Sequence, residues 1–223
     1  VMRLLIKFPT LKRRQKFFET LALYYAMLSG RTPVRFVITL NEDDPTMNNP
    51  EVRARLDGMP NLVYSYGMHR TKVEAVNADV PPLDEWDVML LASDDMIPIV
   101  YGYDGVICSE MERLYPDTDG VLWFNDGFVG RKLNTLAILG VKYYSRTNFI
   151  YQPDFRELWC DNYFTCVAER LGKQTYFDRV IIEHRHPGNV GGEMDATYRK
   201  GSRQHWRDKA LFELHAARGF GLE

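Results

Sequence analysis

The sequence predicts an α/β fold, a mostly parallel β-sheet flanked by helices on both faces. Three observations carry that expectation. Between Arg3 and Ala92, short apolar runs alternate with stretches of helical periodicity, the order in which parallel strands are joined. The runs end on polar or acidic residues such as Asn41 to Asp44 and Ser93 to Asp95, and sheets of this kind bind ligands beyond the carboxyl ends of their strands. The chain has 223 residues, 45% hydrophobic and 26% charged, ordinary globular composition with enough material for one large core. One domain with a C-terminal elaboration is expected.

Residues 3–8 (RLLIKF), closed by Pro9, read as a buried strand. Over 13–29, Phe17, Leu21, Tyr24, Tyr25 and Leu28 recur at helical spacing, and Gly30 is placed to cap the C-terminus. Residues 34–40 (VRFVITL) form the second strand, before the acidic turn Asn41-Glu42-Asp43-Asp44-Pro45. A short helix is expected over 49–59, a strand over 61–66 and a helix over 72–78. Residues 86–92 (WDVMLLA) are the strand that carries Ser93-Asp94-Asp95 at its end.

The second half is less regular. A helix is expected over 105–115, a strand over 120–124 with a turn at Asn125-Asp126-Gly127, and a short strand near Gly140. The longest helical stretch, 154–172, carries Leu158, Tyr163, Val167 and Leu171. Residues 175–183 read as a strand running into His184-Arg185-His186-Pro187. The glycine-rich 188–192 lacks Rossmann spacing and reads as a loop, and a helix follows over 203–217.

Several function classes are set aside at this stage. The formal net charge of -2 argues against a protein built mainly to grip nucleic acid. The basic cluster Lys12-Arg13-Arg14 with Lys16 is explained equally well by the phosphates of a nucleotide. Cys108, Cys160 and Cys166 cannot all pair and show no Cys-x-x-Cys spacing, so a disulfide framework or zinc ribbon is not expected. There is no Gly-x-Ser-x-Gly elbow, no His-Glu-x-x-His and no apolar run of membrane-spanning length. A cytoplasmic location is expected.

Two clusters carry the chemistry. Asp94 and Asp95 are adjacent carboxylates delivered by an apolar strand, where they require a cation or hydrogen-bond donors. Hard oxygen ligands suit Mg²⁺ or Mn²⁺, whereas helix capping is the ordinary alternative. His184 and His186 lie two apart at a strand end and so share a face; imidazole joins carboxylates around Mn²⁺, and plain strand-end polarity is the alternative. Asn125 and Asp126 offer polar groups at the end of another strand, and Trp123 there offers an aromatic face or simply packs in the core.

In the order of these features the chain resembles the nucleotide-sugar glycosyltransferases of the GT-A fold, nearest the inverting glycosyltransferase family 2, over about 4–198. Lys7-Phe8-Pro9-Thr10, with Arg13 after it, resembles the first strand and nucleotide-cradling loop. Asn41 to Asp44 resembles the acidic base-binding turn, and Lys72 with Asn77 the polar pair on the helix before the metal strand. Ser93-Asp94-Asp95 resembles the Asp-x-Asp motif with serine in the first carboxylate position, and His184/His186 the late histidine ligand. The family's Glu-Asp pair near the catalytic base is here Cys160-Asp161.

The resemblance implies a metal-dependent transfer, with Mn²⁺ or Mg²⁺, of a sugar from a nucleotide diphospho-sugar to an acceptor hydroxyl with inversion, UDP being the first choice of nucleotide. It implies Asp95 as direct metal ligand with His184 or His186 completing the site, and Asp161 as general base, with Glu157 the substitute. Pro9, Thr10, Arg13, Asp43, Lys72, Asn77, Asp94 and Asn125 would contact the donor, and Lys200 or Arg199 would close over its diphosphate. It also implies one domain over 1–200, with a nucleotide-binding half at about 1–97 and an acceptor- and metal-closing half at about 98–200, then a helical tail at 201–223. The acceptor stays open among a saccharide, a protein and a modified nucleic acid, no integral membrane segment is expected, and late aromatics permit a homodimer. A nucleotidyltransferase or metal-dependent phosphotransferase is the rival enzyme. A non-catalytic nucleotide-sugar-binding module is the third reading, supported by Ser93.

Overall fold

The computed structural model describes residues 1–191, 199 and 202–222. A seven-stranded sheet has the order β3-β2-β1-β4-β7-β6-β8. Its strands are β1 (Leu4–Pro9), β2 (Val34–Asn41), β3 (Leu62–Gly67), β4 (Val88–Leu91), β6 (Val121–Asn125), β7 (Ile138–Gly140) and β8 (Gln174–Val180). Only β7 runs against its neighbours β4 and β6; the other pairings are parallel. A separate antiparallel pair joins β5 (Met96–Pro98) to β9 (Ile182–His184).

Alternating side chains of these strands go to two cores. On one face Leu4, Ile6, Phe8, Ile38 and Leu90 bury against Phe17, Leu21 and Tyr24 of α1 (Arg14–Ala26) and Tyr103, Ile107 and Met111 of α4 (Tyr103–Leu114). On the other, Leu5, Val37, Met89, Val121 and Leu139 meet Val73 and Val76 of α3 (Lys72–Asn77) and Phe164 and Ala168 of α6 (Cys160–Arg170). Burial on both sides explains why β1 and β4 read as continuous apolar runs. Shorter helices α2 (Pro50–Asp57), α5 (Val141–Tyr144) and α7 (Pro187–Val190) fill connections, and α8 (His205–Ala217) leans on α6. Among the described residues no helix is long and apolar enough to cross a membrane.

Three expectations about local structure change. Helix α1 stops at Ala26, before Gly30, because tertiary contacts capture its end. Gly102 N–H donates to the Met27 carbonyl at 2.7 Å, and the Ser29 N–H and hydroxyl donate to the buried Asp104 carboxylate. The helix expected over 154–172 starts only at Cys160. Asp208 of α8 accepts the N–H groups of Glu157 and Leu158 at 2.9 and 3.0 Å, so those donors serve a side chain and not a helix. The strand expected over 175–183 is split into β8 and β9, and its second piece leaves the main sheet to pair with β5.

Candidate active site

The site lies beyond the carboxyl end of β4. Asp94 and Asp95 follow that strand and are each only 5% exposed. They face different partners. The Asp94 Oδ1 meets Arg13 Nη1 at 3.0 Å and Lys16 Nζ at 3.6 Å, both from the start of α1. Burial, opposed by Arg13 and Lys16 and reinforced by Asp95, holds the Asp94 carboxyl above its ordinary value. The Asp95 Oδ1 accepts the Ser93 hydroxyl, and its Oδ2 lies 3.6 Å from His184 Nε2.

Strand pairing makes that second contact. Met96 stands opposite His184 in the β5–β9 ladder, and Arg185 N–H donates to the Asp95 carbonyl at 2.7 Å. His186 follows across a bend, with its ring centroid 6.0 Å from that of His184. Its Nδ1 accepts the Gly188 N–H at 3.1 Å. Burial keeps the His186 pKa below the ordinary imidazole value despite Asp95, with His184, Lys72 and Arg13 adding to the fall. His186 therefore favours the neutral form, the one that binds metals.

Lys72 opens α3 on the opposite wall. Although the residue is exposed, desolvation of its ammonium works against the charge, and Asp161, Asp95 and Glu157 prevail and hold it above the ordinary lysine value. Asp161 sits in the first turn of α6, after Trp159 in the left-handed region at φ 62°. Such a conformation is strained for a bulky residue; Trp159 is held by rings of Phe212 and His205 from α8, at centroid distances of 5.3 and 5.8 Å. The Val73 N–H donates to the Arg156 carbonyl at 3.1 Å, which ties α3 to the loop before Asp161.

Other expected donor contacts have different work in the structure. The Asn77 amide accepts the Ile150 and Tyr151 N–H groups at 2.9 and 3.0 Å and donates to the Tyr151 carbonyl at 2.6 Å. Asn125 links to Asp178 at 3.1 Å and Gly127 at 2.9 Å. Asp126 accepts three N–H groups, from Phe128, Val129 and Gly130, and the Thr135 hydroxyl. Burial raises the Asp126 carboxyl, but these donors outweigh it and leave it below its ordinary value. Asp43 is exposed and accepts from Asn41 at 3.2 Å, while its neighbour Asp44 is buried and receives the Lys12 N–H at 2.6 Å. Pro9 ends β1 opposite Thr39, and the buried Thr10 hydroxyl has no hydrogen-bond partner. Lys200 lies outside the described residues.

Sequence reasoning passed over Asp208 and did not foresee the partners of Lys16 and Lys7. Lys16 joins Arg13 on Asp94. Asp208, fully buried, fastens the loop before Asp161. Lys7 is fully buried, donating to the Thr39 hydroxyl and, at 3.3 Å, to the Ala75 carbonyl. Burial, opposed by Asp79, pulls its pKa down to about 7. Its signal was visible as a lysine inside an apolar strand; Asp208 gave none.

No family model and no curated protein matches the chain. Solved structures do. The mannosyltransferase PcManGT from Pyrobaculum calidifontis, in complex with GDP-Man and Mn²⁺, superposes with a TM-score of 0.63 at 13% identity over 82% of this chain and 57% of its own. TarS from S. aureus with UDP-GlcNAc gives 0.60 at 12% identity over 93% of this chain and 66% of its own. A variant of Drosophila β-1,4-galactosyltransferase 7 with manganese, UDP-Gal and xylobiose gives 0.53 at 10% identity, over 90% and 79%. The chain thus has the GT-A fold, the Rossmann-like architecture of nucleotide-sugar glycosyltransferases. It spans less than two thirds of the length of PcManGT and about two thirds of the TarS structure.

Proposed function

We propose that the chain is the catalytic unit of a metal-dependent glycosyltransferase that moves a sugar from a nucleotide diphospho-sugar, UDP-linked in the first instance, to an acceptor hydroxyl with inversion. The observation that carries this is the approach of Asp95 and His184 at the end of β4, with Lys72 and Asp161 in the same electrostatic neighbourhood. The 3.6 Å between Asp95 Oδ2 and His184 Nε2 is too long for a hydrogen bond, and the buried His184 Nδ1 has no hydrogen-bond partner among the described residues. A carboxylate oxygen suits Mn²⁺ or Mg²⁺, and an imidazole nitrogen beside it favours Mn²⁺. Among the described residues no three His, Cys, Asp or Glu side chains form a complete metal set.

Asp95 with His184 would hold the ion, which would supply positive charge to the departing diphosphate. Lys72 supplies a second positive charge on that side. Arg13 and Lys16 fix Asp94, which closes the donor end of the basin. Asp161 takes the proton of the acceptor hydroxyl as its oxygen bonds to the anomeric carbon. The bond from that carbon to the diphosphate breaks with its electron pair going to phosphate oxygen. One base on one face and a leaving group on the other give inversion.

A panel of nucleotide sugars, incubated with Mn²⁺ or EDTA and a mixed set of hydroxyl acceptors, tests this. The expected result is metal-dependent release of UDP with an inverted glycosidic product. Donor binding without any turnover across acceptors would favour the binding module, for which Ser93 speaks. Release of sugar 1-phosphate, with the nucleotidyl group passing to the acceptor, in place of UDP would favour the nucleotidyltransferase.

A further inference from the structure

A cavity of about 300 Å³ opens between α6, the edge strand β8 and the turn around Arg131 and Lys132. We propose that this groove is the acceptor subsite and that it takes a saccharide carrying an anionic group, carboxylate or phosphate. The proposal rests on the transfer reaction proposed above and adds to it the class of acceptor.

Position comes first. Asn162 and Thr165 line the groove from α6. Asp161 precedes Asn162 and lies one helical turn before Thr165, whose hydroxyl donates to the Asp161 carbonyl at 2.8 Å. Residues four apart on a helix stand nearly above one another. A ligand in the groove would therefore lie alongside the helical turn that carries Asp161, the residue assigned to take a hydroxyl proton.

The lining supplies the chemistry. Trp123 and Tyr176 meet edge to face, with centroids 5.1 Å apart, and make an aromatic corner of the kind that receives the C–H face of a pyranose. Gln174 and Asn162 offer amides for sugar hydroxyls. Arg131 and Lys132 add two positive charges, and Glu169 adds one negative charge. The Arg131 guanidinium lies 5.3 Å from the Tyr176 ring centroid, so one cation is stacked beside the aromatic corner. A neutral glycan would use the rings and amides but leave this cation excess unanswered.

The test titrates hyaluronan tetrasaccharide, a phosphate-bearing mannose oligosaccharide and neutral chitotetraose into the chain by calorimetry, without metal or nucleotide. At least one anionic probe is expected to bind about fivefold or more tighter than chitotetraose, and Arg131→Ala with Lys132→Ala should remove that preference, as partly exposed charges allow. Which anionic probe binds separates carboxylate from phosphate. Equal binding of charged and neutral probes, binding of none, or a preference that survives the double variant would overturn the groove assignment. Both side chains are exposed, so folding is expected to survive, and an unchanged melt of the double variant confirms it. If the chain prefers an anionic probe but transfers no sugar, the transfer reading fails and the groove stands. If it transfers sugar without that preference, the groove assignment fails and the transfer reading stands.

Discussion

Asp95 and His184 are brought together by strand register, whereas Asp161 stands just after a loop held by a carboxylate from α8. The first arrangement is written into the backbone ladder of β5 and β9. The second depends on side-chain acceptors, chiefly Asp208, and on a tryptophan in a left-handed conformation. Metal end and base end should therefore respond separately to substitution, although Lys72 feels charges from both.

The largest effect should come from the base end. Asp161→Asn keeps the size of the side chain but cannot take a proton, so turnover should fall by about 10²- to 10⁴-fold. UDP affinity by calorimetry should move by less than about threefold. Near-normal turnover would move the base to Glu157 and weaken the case for inversion.

Asp208→Ala probes how that end is held. Three backbone N–H groups, those of Arg156, Glu157 and Leu158, lose their acceptor. A loss of about 3 kcal/mol in denaturant unfolding is expected. If the ends are independent, the variant still gains stability from Mn²⁺ with UDP; a variant blind to those ligands would join the ends into one unit.

At the metal end, Mn²⁺ with UDP should stabilise the chain by about 2.7 kcal/mol at ligand concentrations near 100 times Kd. Asp95→Ala should remove most of this and Ser93→Ala little. Identical melts in EDTA and in saturating ligand would dismiss the metal site.

A smaller effect concerns the floor under α3, which bridges the two ends. Lys7 is neutral in the folded chain above about pH 7, whereas an unfolded lysine keeps its proton to about 10.5. In that window the unfolded state binds the extra proton, so stability rises with pH, by about 2 kcal/mol from pH 7.5 to 9. Lys7→Met should flatten this rise in urea titrations; an equal slope in the variant would mean that Lys7 does not carry it.

The contrast between the ends also accounts for what could be read in advance. Alternating apolar runs reveal β1, β2 and β4, since each strand is buried on both faces and declares itself locally. Asp94, Asp95 and His184 are visible for the same reason, each standing at the end of such a run. The start of α6 is not, because the groups that stop the helix at Cys160 belong to α8. Asn77, Asn125 and Asp126 look like ligand contacts in a linear chain, and the structure gives each of them protein partners, among them the Tyr151 carbonyl, the Asp178 carboxylate and the Thr135 hydroxyl, that the linear pattern does not show. Strand β5 is too short for any pattern, and its pairing with β9 is what makes His184 meaningful.

The reversed strand β7 has a kinetic consequence. The four strands β1 to β4 pair within the first 91 residues, but β7 must enter between β4 and β6, aligning Val88 with Gly140 and Val121 with Leu139. The loop closed by β6 and β7 is the shortest of these, whereas β1 and β4 align Leu4 with Val88, the most distant residues paired in the sheet, and that closure is entropically costly before its contacts form. The β6–β7 pair should then assemble by the folding transition state, and the β1–β4 seam should lock in afterwards. In stopped-flow chevrons, Ile138→Val should slow folding, while Ile6→Val should mainly hasten unfolding.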